Sequence, residues 1–421
     1  MSKINNLFVF ILALYALLWG TAWNVKYLNL SITEFFIPLI LSYSLYKNFY
    51  QRKPILNFYQ LLIFLIITSF IIIYLIIGMI RINELSNSVN DIYYAIFYSI
   101  KLIIFFYFGF VVANILDNKK NIEKFIKYFF LMLIPLYVFL HYKYAFIYET
   151  YHVGVSLDGE GLKNGKNSFA AIIALLAPFI ISRLFDKNNR SLFLVSSFIV
   201  ILLCSYFLYS RAMTIVLIVE IFLIILLIEG RFKKILIFLL LLISLFITFK
   251  NFEDDILKYF LKSDYDTFQE TSELALDFNE VSQTKKEYIL FDTHRGWLLY
   301  EALEGVKQSH YIGNGIGTFR VRVTNEGSKT ETHNDLALIF YETGIVGFSL
   351  LLITIFSLIV RTYNLFLNKK DYLYRGMFAA LWGLIFSMLF SNFINTFMFW
   401  IVIGIYLSLI NDKEENLKAK K

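Results

Sequence analysis

The chain has 421 residues, 58% of them hydrophobic and 17% charged, with a formal net charge of +7. A soluble domain carries about 25% charged residues, so an ordinary soluble globular protein is excluded. The excess positive charge follows the loops between apolar segments and gives no sign of nucleic-acid binding.

Long apolar runs recur from end to end. Phe58 to Ile80 contains no charge in 23 residues. About 20 apolar residues cross the hydrocarbon core as a helix, and in lipid every backbone amide needs an internal partner, which dictates helix over exposed coil. Twelve spans are predicted, at 6–23, 29–47, 58–80, 92–115, 124–141, 168–185, 191–209, 212–229, 234–249, 343–361, 376–393 and 395–411. The first has only Lys3 ahead of it and no small-residue cleavage site, so it reads as a retained helix. The fold class expected is an all-α integral membrane protein forming one polytopic domain over 1–421, without internal repeats.

Threading these spans with the N-terminus in the cytoplasm places 22 Lys and Arg residues inside, against 6 in the short outward connections. Every inward connection is basic, as the positive-inside bias requires. Both termini are then cytoplasmic. Cys204, the one cysteine, sits within an apolar run and reads as a small buried hydrophobe.

Two outward loops stand out. The first, 142–167, ends in the polar stretch Asp158 to Asn167. The second, 250–332, is the longest polar segment, and structureless loops of such length are uncommon and often functional. Within it Leu299, Ala302, Leu303 and Val306 recur at helical spacing, with Gly305 near the end. They predict a short amphipathic helix along the membrane surface.

Three residues on the outward side suit chemistry. Thr332 and Asp335 have capping-box spacing, which puts His333 in a first helical turn. There the helix dipole favours a neutral imidazole that can accept a proton. A solvated histidine at a helix start accounts for the same pattern. Arg211 closes the seventh span, and an arginine beside apolar spans either snorkels or meets an anion such as phosphate. Arg295 lies among carboxylates in the long loop, where a surface salt bridge also explains it. Asp264-Tyr265-Asp266 resembles a metal-holding D-x-D of sugar-nucleotide transferases, but this loop faces away from the cytoplasm, where nucleotide sugars reside. Glu34, Lys101 and Glu220 lie in apolar spans, few and scattered, and read as packing or helix-end positions.

As an ordered set these residues resemble the O-antigen ligase and O-antigen polymerase superfamily of bacterial membrane proteins. The resemblance rests on Ser210-Arg211-Ala212, Arg295-x-Trp297, Gly313-x-Gly315-x-Gly317-x-Phe319, and His333-Asn334 with Glu342, Gly344 and Gly347. It covers about 210–348, with a weaker echo at Gly165-Lys166-Asn167.

The resemblance implies a GT-C-like membrane glycosyltransferase in the bacterial inner membrane, with its active site facing the periplasm and no cofactor or metal. It would take a glycan from undecaprenyl pyrophosphate and pass it, by an inverting transfer, to an acceptor hydroxyl. Arg211 and Arg295 would hold the pyrophosphate and His333 would deprotonate or orient the acceptor. Asn334 would orient His333 or the sugar, Glu342 would support that helix, and Lys166, Asn167 and Trp297 would belong to the substrate-binding set. The acceptor would be lipid A-core for a ligase, the favoured reading, or a second lipid-linked glycan for a polymerase. A protein O-glycosyltransferase is a third member of the superfamily. The rival from another class, a transporter or lipid-linked glycan flippase, predicts repeats, helices broken at mid-membrane and paired intramembrane charges.

Overall fold

The computed structural model describes residues 2–19, 24–25, 30–52, 54–86, 88–142, 165–186, 191–207, 211–228, 298–325, 334–390, 394 and 396–418. Among them the architecture is helical, apart from a short antiparallel pairing of Asn24–Val25 with Leu30–Ser31. The helices are α1 (Ser2–Trp19), α2 (Ile32–Tyr50), α3 (Phe58–Leu85), α4 (Val89–Ile115), α5 (Lys119–Tyr142), α6 (Gly165–Leu184), α7 (Leu192–Phe207) and α8 (Arg211–Leu227). After a long interval come α9 (298–308), α10 (Thr318–Asn325), α11 (Asp335–Lys369), α12 (Tyr372–Phe390) and α13 (Phe397–Lys418). A helix thus occupies each predicted segment except 234–249, which lies outside the described residues.

Four of these helices, α3, α4, α11 and α12, are long and apolar enough to cross a membrane. Five more are apolar over shorter stretches, including Ile4–Leu18 and Phe397–Ile410. The chain is a helical membrane protein. Its α3 makes the point most directly: only 11% of its most apolar window is buried, so Ile and Leu side chains cover nearly its whole circumference. A surface of that kind is stable against lipid, not water. The helix starts where Asn57 and Gln60 exchange side-chain and backbone hydrogen bonds in a capping box.

Packing centres on α12, which touches α6, α8 and α11, while α13 lies on α4 and α1 on α5 and α2. Small residues allow these close approaches. Gly376 of α12 meets Phe179 of α6, and Gly404 of α13 meets Val112 of α4.

At the end where the chain begins, here called the lower end, polar side chains tie the helices together. Asn114 donates to the Ile55 carbonyl at 2.9 Å and accepts from Lys47. The Tyr43 hydroxyl donates to Asn5 and to the Asn114 carbonyl. Lys119 pairs with Asp371, Tyr372 donates to Glu123 at 2.6 Å, and Arg375 reaches the Ser182 carbonyl at 2.7 Å. Among the described residues, Lys47, Lys119, Lys124, Arg183 and Arg375, all read as inward-facing in the sequence, lie at this one end.

Asn114 links the approach to α3 with α2 and α4, and its loss would leave the buried Ile55 carbonyl unpaired. Asn114→Ala is expected to lower stability by about 1–3 kcal/mol, read as an earlier thermal unfolding transition in detergent.

Candidate functional site at the upper end

At the opposite end, the segment Ser309–Gly317 leaves α9 and wedges between α3 and α11 before starting α10. It meets α3 at Tyr74 and Gly78, which together with Ile82, packed on Val321 of α10 and Ala95 of α4, form the buried stripe of that otherwise largely exposed helix. This i, i+4, i+8 spacing is one helix face. Gly78 lies 20 residues beyond Phe58, about 30 Å along the helix axis, which is the thickness of a hydrocarbon core. The wedge therefore sits at the edge of the apolar layer, below the first charges past that run, Arg81 and Glu84.

Irregular backbone at that depth is tolerated only when protein satisfies its polar groups. Every amide from Ile312 to Gly317 has a partner. Ile312 donates to the Ser309 carbonyl at 3.2 Å and Gly313 to the Ser309 hydroxyl at 3.2 Å. Asn314 donates to the Tyr341 carbonyl at 3.0 Å, Gly315 to the Glu342 carbonyl at 2.8 Å, and Ile316 to the Tyr74 carbonyl at 2.9 Å. Gly317 donates to the Glu342 carboxylate, Oε1, at 2.8 Å. The Tyr74 hydroxyl in turn donates to the Ile312 carbonyl at 3.2 Å.

Two glycines make the wedge geometrically feasible. Gly315 has φ 92°, and a Cβ there would overlap the Gly78 backbone. Gly344 has φ 62° and ψ −160°, a region open essentially to glycine alone. It breaks α11, freeing the Glu342 and Tyr341 carbonyls for the wedge, while Ile345 donates to Tyr311 at 2.9 Å.

The short helix foreseen in the long loop is present as α9, but its apolar face does not lie on the membrane surface. Leu298, Ala302 and Val306 are buried against Phe319 and Val323 of α10 and Ala337, Leu338 and Tyr341 of α11. The Tyr341 ring lies directly on Gly305. Amphipathic spacing shows that a face is covered; it does not say whether protein or lipid covers it.

The start of α11 also differs from expectation. Its N-cap is Asn334, whose side-chain oxygen accepts from the Ala337 amide at 3.0 Å, and the helix begins at Asp335. Asn is at least as good an N-cap as Thr, so the cap falls two residues after Thr332 and His333 precedes the helix. Asp335, fully buried, accepts from the Ile394 amide at 2.7 Å, which pins the α12–α13 connection to this site. Asn334 therefore caps the start of α11 with its side-chain oxygen.

Glu342 is 5% exposed and holds the wedge. Arg211 is the first residue of α8, and Lys166 and Asn167 fall in the first turn of α6; their side chains lie outside the described residues, as do Arg295, Trp297 and His333 entirely. Asp264 and Asp266 also lie outside them, and among the described residues no three His, Cys, Asp or Glu side chains gather as a metal-binding set.

Two arginines that sequence reasoning passed over belong to this end. Arg322 is held by buried Glu301 at 3.0 Å and by Gln308 at 2.7 Å, a structural clamp between α10 and α9. Arg320 is exposed and stands 4.2 Å from the centre of the Tyr94 ring on α4. The alternation Arg320-Val321-Arg322-Val323 was the available signal, but period two reads as a strand, whereas the residues form a helix. No protein-family model matches the chain, and no curated protein matches it.

The wedge predicts an asymmetric response at one position. Glu342→Gln keeps an acceptor for the Gly317 amide and is expected to cost little, whereas Glu342→Ala leaves that amide unpaired and should cost about 1–3 kcal/mol. Thermal unfolding of both variants in detergent measures the difference.

Proposed function

We propose that the chain is a membrane glycosyltransferase of the O-antigen ligase and polymerase type. It has twelve spans in a GT-C-like arrangement within the bacterial inner membrane, and its upper end faces the periplasm. It transfers a glycan from undecaprenyl pyrophosphate to an acceptor hydroxyl, and lipid A-core is the favoured acceptor. The observation that carries this reading is the ordered motif set. Its Gly313, Gly315, Gly317, Glu342 and Gly344 members form one interlocked unit at the edge of the apolar layer, which is where a lipid-linked donor presents its pyrophosphate. The gathering of Lys47, Lys119, Lys124, Arg183 and Arg375 at the other end supports the orientation.

In this reaction the acceptor oxygen attacks the anomeric carbon as its bond to the pyrophosphate breaks. The electron pair leaves with the pyrophosphate, whose developing charge Arg211 and Arg295 neutralise. The proton of the acceptor hydroxyl passes to His333. Asn334 caps α11 where the chain enters it, directly after His333 in the sequence. Lys166 adds a further cation for phosphate.

One observation favours the transporter reading: Glu220 lies midway along α8, fully buried against Gly383 of α12, with neither carboxylate oxygen hydrogen-bonded. Against the transporter reading, the broken helix α11 has its break, at Gly344, near the membrane edge and not at its middle.

The test is lipopolysaccharide gel analysis of a deletion strain complemented with wild type or variants at matched expression. Bare core with accumulated lipid-linked polymer identifies a ligase; core bearing a single repeat unit identifies a polymerase. Arg211→Ala, Arg295→Ala and His333→Ala are each expected to cut transfer by about 10²–10³-fold, and full rescue by all three overturns the mechanism. Glu220→Gln is expected to leave the ladder unchanged; a glycan profile that depends on Glu220 but not on His333 would instead indicate a carrier.

A further inference from the structure

A second feature lies at the lower end, away from the wedge. A groove of about 790 Å³ runs along α11 and is closed on one side by Ile410 of α13. Its volume is in the range of small-molecule sites, about 300–1,000 Å³. Two chemistries share its wall. Ile353, Phe356 and Val360 are exposed apolar side chains, 63%, 48% and 57% accessible. Beyond them along the same face come Arg361, Asn364 and Asn368.

Depth along α11 explains the order. Arg361 lies 17 residues past the Gly344 break, about 26 Å at the helical rise. With the break at one edge of an apolar layer about 30 Å thick, the Arg361 backbone lies about 4 Å inside the opposite boundary, from where a snorkelling guanidinium reaches the lipid phosphates. Asn364 and Asn368, farther on, lie at headgroup depth. The apolar half of the groove is then at acyl-chain depth, on the side where the basic residues gather.

We infer that this groove binds an anionic phospholipid of the cytoplasmic leaflet, with its phosphate at Arg361, its headgroup at Asn364 and Asn368, and an acyl chain along Val360, Phe356 and Ile353. Charge complementarity selects the occupant. A guanidinium at phosphate depth prefers a net negative headgroup, and basic sites between spanning helices on the cytoplasmic side are suited to such lipids. The side chain's carbons lie along the apolar wall while its charge stays at the interface. A lipid seated there bridges α11 and α13; at the opposite end Asp335 of α11 accepts from Ile394, in the connection that leads into α13. The site is independent of the transfer chemistry and would stand if that reading failed.

Native mass spectrometry of the full chain in detergent, titrated with phosphatidylglycerol or phosphatidylcholine of identical acyl chains, tests the assignment. The first phosphatidylglycerol is expected to bind roughly fivefold more tightly, the preference of one basic side chain for an anionic headgroup. Arg361→Ala should abolish the preference and leave residual binding of both lipids. Ser357→Trp, which fills the groove without touching the charge, should reduce occupancy by both. Circular dichroism and thermal unfolding of each variant verify the fold. Equal binding of the two lipids by wild type, an intact preference in Arg361→Ala, or displacement of phosphatidylglycerol by millimolar inorganic phosphate would each overturn the proposal; the last would identify a free-anion site.

Discussion

The upper end of this protein depends on one constraint: backbone that leaves helical geometry at the edge of a lipid layer must have every amide paired from within. Ile312–Gly317 meets it by drawing on three sources. Its own turn supplies Ser309, α3 supplies the Tyr74 carbonyl, and broken α11 supplies two carbonyls and the Glu342 carboxylate. The break at Gly344 and the wedge are thus one feature. A continuous α11 would keep those carbonyls for itself, and an unbroken helix in place of the wedge would have no use for them.

Close approach is the second half of the same solution. Gly78 on α3 and Gly315 in the wedge bring two backbones into contact, and this contact lets a helix otherwise clad in Ile and Leu accept a polar neighbour. The Tyr341 ring on Gly305 closes the structure from the other side and joins it to a small apolar core between α9, α10 and α11. The result is a rigid platform at the membrane edge, set on elements that begin at Asn334 and continue through the bilayer as α11. The proposed lipid groove lies at the other end of that same helix.

Much of this was legible in the sequence, and the exceptions have physical reasons. Apolar runs located the helices because lipid allows little else, and the amphipathic spacing of Leu299, Ala302 and Val306 located α9. What covers that face was not legible, since a buried stripe looks alike under protein and under lipid. The cap of α11 was misplaced because Thr332, Asn334 and Asp335 all suit helix starts, and geometry selected Asn334. The alternating arginines of α10 imitate a strand, which hid Arg320. Glycine spacing at 313, 315 and 317 pointed to a special backbone without saying that Glu342, 25 residues on, would hold it. Arg211 and His333 were singled out by charge and position alone, and each adjoins the start of a helix, α8 and α11 respectively.

The central claim is that glycan transfer, and not passage of a solute, occurs at the upper end. Its most direct measurement uses purified protein in proteoliposomes supplied with undecaprenyl-pyrophosphate-linked glycan and lipid A-core, with products followed by mass spectrometry. The account predicts a glycan–core product and free undecaprenyl pyrophosphate in equal amounts, both lost with His333→Ala. Intact lipid-linked glycan appearing on the far side of the membrane without either product would contradict it.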